Sequence, residues 1–200
     1  MDEHLIKISC IGDSITYGLN IENPDEDSYP NQLQMLLSDQ YLVNPYLGRS
    51  GAAVWRSSPL PYNSTIQFKN AKDWVADIQV VCLGSNDTVN QINDSFKRQF
   101  IDDYLALLSD LKKNSPAAKT FVCKIPPIFG ADNATFAEAV PEINKLITEV
   151  ANHSGASVID LNTPFALRED LFFSDGLHPN EAGAGVIAET VHDAIKQVLK

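Results

Sequence analysis

Cysteine, positive charge and long apolar runs are all scarce in this 200-residue chain. No run approaches the roughly 20 consecutive apolar residues that a helix needs to cross a bilayer, so a membrane protein is not expected. Lysine and arginine number 15 against 26 aspartates and glutamates, a net charge of −11. Phosphate backbones and anionic lipid surfaces are held by clustered cations, so neither nucleic acid nor membrane is an expected partner. Cys10, Cys82 and Cys123 each fall in or at the end of an apolar stretch, with no Cys-x-x-Cys pair and no metal-ligand spacing. They read as reduced core residues and favour a cytoplasmic protein. The opening Met1-Asp2-Glu3-His4 lacks the basic and apolar regions of a secretory leader, which points the same way. Gly-x-Gly-x-x-Gly, Gly-x-x-x-x-Gly-Lys-Ser/Thr and His-Glu-x-x-His are all missing. No nucleotide, cofactor or metal is therefore expected.

What is present is an alternation. Strand-like runs at 5–11, 41–47, 78–83, 120–125 and 157–161 alternate with helical patterns at 28–39, 96–113, 141–152 and 181–199. Leu33, Leu36 and Leu37 share one helical face, as do Phe100, Tyr104, Leu107, Leu108 and Leu111. Pro45 weakens the second strand, and Pro141 sits near the expected start of its helix. With 44% hydrophobic residues, the chain suits one domain over residues 1–200. The expected fold is α/β: a three-layer α/β/α sandwich around a five-stranded parallel sheet in flavodoxin-like order. Right-handed crossovers then bring every strand-to-helix turn to one edge of the sheet. Two long irregular stretches, 54–70 and 126–135, are expected as loops beside that edge.

Four segments fall on the same edge. Gly12-Asp13-Ser14-Ile15-Thr16-Tyr17-Gly18 follows the first strand, Gly48-Arg49-Ser50-Gly51-Ala52 the second, and Leu83-Gly84-Ser85-Asn86-Asp87 the third. Asp175-Gly176-Leu177-His178-Pro179-Asn180 precedes the last helix. In this order and spacing they resemble the SGNH hydrolases, or GDSL esterases, over residues 8 to about 190. The Ser, Gly, Asn and His that name that family fall here on Ser14, Gly51, Asn86 and His178.

Acyl transfer needs a nucleophile, a base, a group that orients the base and a site for the oxyanion. Ser14 fits the first role, His178 the second and Asp175, three residues before it, the third. The resemblance implies an oxyanion site made by the backbone N–H groups of Ser14 and Gly51 and the side-chain amide of Asn86. Asp13 and Asp87 read as loop holders that accept from backbone. Ser50 is the one competing nucleophile, but Gly48-x-Ser50-Gly51-Ala52 misses the nucleophile elbow at its last position. His4, His153 and His192 read as surface or cap residues. Trp55, Arg56 and Tyr62 in the first long loop are candidates for substrate binding, the aromatic rings as platforms for sugars. The resemblance extends to bacterial GDSL acetylesterases and implies a small ester substrate, an acetylated sugar foremost. Two alternatives stay open: a lysophospholipase or thioesterase of the same family, and a carbohydrate-binding module without catalysis. The sequence leaves the oligomeric state unread.

Overall fold

The computed structural model describes residues 5–198. Five strands form one sheet: β1 Ile6–Gly12, β2 Tyr41–Gly48, β3 Ile78–Cys82, β4 Lys119–Lys124 and β5 Ser157–Asp160. All pairs are parallel, in the order β2-β1-β3-β4-β5. This is the flavodoxin-like sandwich read from the alternation. β3 is buried at every position, as expected of an apolar strand covered on both faces. Val81 joins the core on one side, and Ile78, Val80 and Cys82 the core on the other.

The first helical layer holds α4 Ile66–Asp73, α5 Asp94–Asn114 and α6 Ala134–Ser154. The second holds α3 Tyr29–Leu36 and α7 Glu181–Val198. The short α1 Ser14–Tyr17 and α2 Pro24–Asp27 precede α3. α5 buries the five residues of its predicted stripe and adds Phe96 and Asp103. Each large apolar side chain withdrawn from water this way is worth about 1.5–3 kcal/mol. Cys10, Cys82 and Cys123 are buried and unpaired.

Several boundaries differ from the sequence expectations. α6 begins seven residues before Pro141, which lies inside the helix on its exposed side. The missing N–H costs one helical bond; the flanking Val140, Ile143, Asn144 and Ile147 are buried and hold the axis in place. The stretch 54–70 is not one loop. Thr65 caps α4 by accepting from Phe68 N at 3.1 Å, and Phe68 and Ala71 go inward. The helix expected over 28–39 ends at Leu36, which is exposed, while Leu33 and Leu37 are buried.

β2 exists despite Pro45 because it is an edge strand, where one ladder bond can be given up. The register skips there. Ser9 pairs with Asn44 and Ile11 with Leu47, so Pro45 and Tyr46 both stand opposite Cys10. The end of β2 comes within backbone contact of α1: a Cβ on Gly48 would stand 2.4 Å from Tyr17 N. Only glycine allows this approach. Gly48→Ala is therefore expected to lower stability by about 1–3 kcal/mol, read as a lower urea midpoint with an unchanged slope.

Candidate active site

Ser14 stands at the carboxyl end of β1 as the first residue of α1. Asp13 caps that one-turn helix, its Oδ1 accepting from Ile15 N at 3.0 Å. Ser14 is only 7% exposed, so its hydroxyl has one direction to face. That direction is His178: Nε2 lies 3.0 Å from Ser14 Oγ. His178 Nδ1 lies 2.7 Å from Asp175 Oδ2. An ionised carboxylate only accepts, which makes Nδ1 the donor and leaves the Nε2 lone pair for the serine proton.

The loop carrying both residues is shaped by the same aspartate. Asp175 Oδ1 accepts from Leu177 N at 2.9 Å and His178 N at 3.0 Å. Partial burial works to raise the Asp175 carboxyl, but the His178 backbone N–H, the His178 ring and the Leu177 N–H outweigh it. The group therefore lies below the usual carboxylate range.

Two residues that the sequence reading passed over hold this loop to the body. Asn20 Nδ2 donates to Asp175 Oδ2 at 2.9 Å, from a left-handed backbone with φ of 73°. Asn133 Nδ2 donates at 2.7 Å to both Phe129 O and Asp175 O. An asparagine tolerates the left-handed region, so position 20 was readable as a turn. Its partner 155 residues away was not.

Gly51 takes φ of +78° in the turn after β2, a conformation that favours glycine, and a Cβ there would meet only Leu60 Cδ2, at 3.8 Å. Its backbone is thus exposed towards open space. Asn86 Nδ2 donates to Ala52 O at 2.9 Å, which ties the third block to the second. A side-chain amide carries two N–H donors, so this bond fixes the amide and leaves one N–H over. Ser14 opens its helix, and its own N–H has no intrahelical partner.

Asp87 accepts from Val54 N and Trp55 N, both at 2.9 Å, and Asp103 on α5 accepts from Arg56 N at 2.8 Å. Asp13 and Asp87 thus hold loops through backbone donors, as expected. Of the three residues expected to bind substrate, Tyr62 requires correction. It is fully buried, and its hydroxyl donates to Leu47 O at 2.6 Å, so it closes the core beneath the loop and offers no surface. Trp55 is half-buried with its ring edge-on to Phe96, centroids 5.6 Å apart. Arg56 is exposed and pairs with Asp103 at 3.6 Å. Ser50 Oγ is buried without a hydrogen-bond partner, so no base activates it. His153 is exposed, and His192 is half-buried with Nδ1 3.2 Å from Asp193 Oδ1. His4 lies outside the described residues. Among the described residues no helix is long and apolar enough to cross a membrane, and no group of His, Cys, Asp or Glu could hold a metal ion. A cleft of about 780 Å³ lies at the opposite edge of the sheet around Lys119 and Ser157 and has no part in this site.

A parallel α/β/α sandwich that brings the Ser14, Gly51, Asn86 and His178 blocks to its carboxyl edge is the arrangement of the SGNH class. The chain belongs to the GDSL-like Lipase/Acylhydrolase family, whose model matches residues 10–186. It is 33% identical over 211 residues to an acetylxylan esterase of Xylanibacter ruminicola, covering 97% of this chain and 44% of that protein. It is 29% identical over 236 residues to a multidomain esterase of Ruminococcus flavefaciens, covering 98% of this chain and 29% of that one. The chain thus spans less than half the length of the curated relatives it matches. Among solved structures it is similar to Est24, a carbohydrate acetylesterase from Sinorhizobium meliloti, with a TM-score of 0.75, 18% identity and 96% and 99% of the two chains covered. A family two carbohydrate esterase from Clostridium thermocellum in complex with cellohexaose gives 0.71, 23% identity and 97% and 64% coverage. At these identities the two structures speak for the fold.

Burial pushes the Asp13 carboxyl up to about 6, against the Ile15 N–H and the nearby His178. Burial does the same to Asp87, also to about 6, against the Val54 and Trp55 N–H groups. Both groups hold protons more tightly folded than at the ordinary value of 3.8. Their contribution to stability therefore falls as pH rises from about 4 to about 6 and stays reduced above, by on the order of 3 kcal/mol per group. Asp175, shifted the other way, adds stability that is lost as pH falls below about 4. Tm is expected to peak near pH 4, to fall towards pH 6 and to level off above it in scanning calorimetry. Asp87→Asn should flatten that decline.

Proposed function

We propose that the protein is a serine esterase that removes small acyl groups, acetyl above all, from carbohydrates. The observation that carries this reading is the unbroken relay from Asp175 through His178 to Ser14, with contacts of 2.7 and 3.0 Å. Ser14 Oγ attacks the ester carbonyl while His178 Nε2 takes its proton. Asp175 holds the ring and offsets the positive charge that forms on it. The carbonyl oxygen becomes an anion received by Ser14 N–H, Gly51 N–H and the Asn86 amide. The intermediate collapses to an acyl-serine, and His178 returns the proton to the departing sugar hydroxyl. Water, deprotonated by His178, then releases the acid. The carbohydrate part of the proposal is supported by the acetylxylan esterase relative.

Ser14→Ala should abolish labelling by a fluorophosphonate and acetate release from acetylated xylan, with the fold retained by circular dichroism. Labelling that survives, or maps to Ser50, overturns the assignment. Comparison of acetate with octanoate esters of p-nitrophenol decides the acyl length: preference for octanoate replaces the acetylesterase reading with a lipase-type one.

Asn86 contacts the carbonyl oxygen most strongly once it is charged. Asn86→Ala should therefore lower kcat by roughly 10² to 10³, about 3 to 4 kcal/mol, with little change in KM. A variant with full kcat removes Asn86 from the oxyanion site.

A further inference from the structure

Nearly every aromatic ring in this protein is buried or half-buried. Among the described residues only two aromatic side chains are exposed, Tyr17 at 51% and Tyr46 at 69%. Both line the same cleft of about 330 Å³, together with Asp25, Asn31 and Gln67. Large exposed rings gathered in one place mark a binding surface more often than chance exposure does. The cleft reaches α1, the helix that carries Ser14. Tyr17 is one helical turn after Ser14 on α1, and residues so spaced have Cβ atoms roughly 5–6 Å apart. Gly48, where β2 approaches α1 at backbone distance, also lines the cleft.

We infer that this cleft is a saccharide subsite, holding a neutral pyranose unit next to the acylated one. This rests on the esterase reading of Ser14. The rings offer flat apolar faces to the C–H faces of a sugar. Asp25 and Asn31 bring acceptors, and Gln67 an amide donor, for its hydroxyls. Asn31 is already braced, its Nδ2 donating to Pro24 O and Ser28 Oγ, both at 3.0 Å. The Gln67 Oε1 is buried, so the amide offers a sugar hydroxyl its Nε2. Asp25, the one ionic side chain lining the cleft, carries negative charge, which selects against uronic acids and phosphosugars.

The test uses xylohexaose without acetyl groups, so that binding is read apart from catalysis. Calorimetric titration into the Ser14→Ala protein should show binding, weakened at least fivefold by adding Tyr46→Ala and largely restored by Tyr46→Trp instead. Polygalacturonate should bind more weakly than xylohexaose. In the catalytically intact protein, Tyr46→Ala should shift the ratio of kcat/KM on acetylated xylo-oligosaccharide to that on p-nitrophenyl acetate about fivefold towards the latter, through KM. Equal xylohexaose affinity with and without Tyr17 and Tyr46 overturns the subsite and leaves the esterase standing. Binding that depends on the tyrosines in a protein that hydrolyses no ester supports the subsite and overturns the esterase.

Discussion

The active edge hangs on the Asp175 carboxylate. Its four contacts come from Leu177 N, His178 N, His178 Nδ1 and Asn20 Nδ2, at 2.7 to 3.0 Å. Two of these close the loop, one orients the base and one anchors the loop to the segment after α1. All four partners donate, so only the ionised form satisfies them all. The downward shift of its pKa is the thermodynamic side of the same geometry. Fixing the histidine and folding its loop are therefore one event. Phe129 N to Gly176 O and Phe173 N to His178 O, both 2.9 Å, complete the frame.

Beneath this edge lies an unusual density of buried negative charge. Asp13, Asp87 and Asp103 are each buried, and each holds the backbone of an active-edge loop. Such charge favours an imidazolium and opposes an oxyanion. In the proposed reaction, a hole built from neutral N–H groups would meet that conflict by aiming dipoles at the oxygen while adding no cation for the buried carboxylates to attract away. Backbone donors also have no proton to lose and no rotamer to reorganise. The positions of Gly51, with nothing beyond its backbone, and Asn86, braced on Ala52 O, suit that demand.

The sheet and its two helical layers were legible in the sequence because burial on both faces leaves continuous apolar runs and helical stripes. Ser14, Asp175 and His178 were legible because each sits in a short block at a strand or helix boundary. What escaped was long-range or short. α1 and α2 span four residues each, too few for a periodic signal to stand out, and α4 turns only Phe68 and Ala71 inward, which makes no stripe. Asn20 and Asn133 act on residues 155 and 42 positions away. Tyr62 was misread because an aromatic in a polar stretch carries no mark of direction. The bond to Leu47 O and the contact with Phe68, centroids 6.1 Å apart, turn it inward.

The same question of direction explains Tyr46. In an unbroken strand, side chains two residues apart share a face, so Val43 and Leu47 would point the same way. They do not: Val43 packs with Ile8 and Leu33 in the layer of α3 and α7, and Leu47 with Ile11 and Tyr62 in the layer of α4 to α6. The extra residue opposite Cys10 exchanges the two faces in the middle of β2. Beyond it, Tyr46 alternates with Leu47 and is turned to the side of α2 and α3, where the cleft with Tyr17 lies. Proline at position 45, which has no N–H to give to the ladder, is the residue at which such a skip costs least. The skip in this edge strand thus decides which layer receives Leu47 and which way the exposed Tyr46 faces.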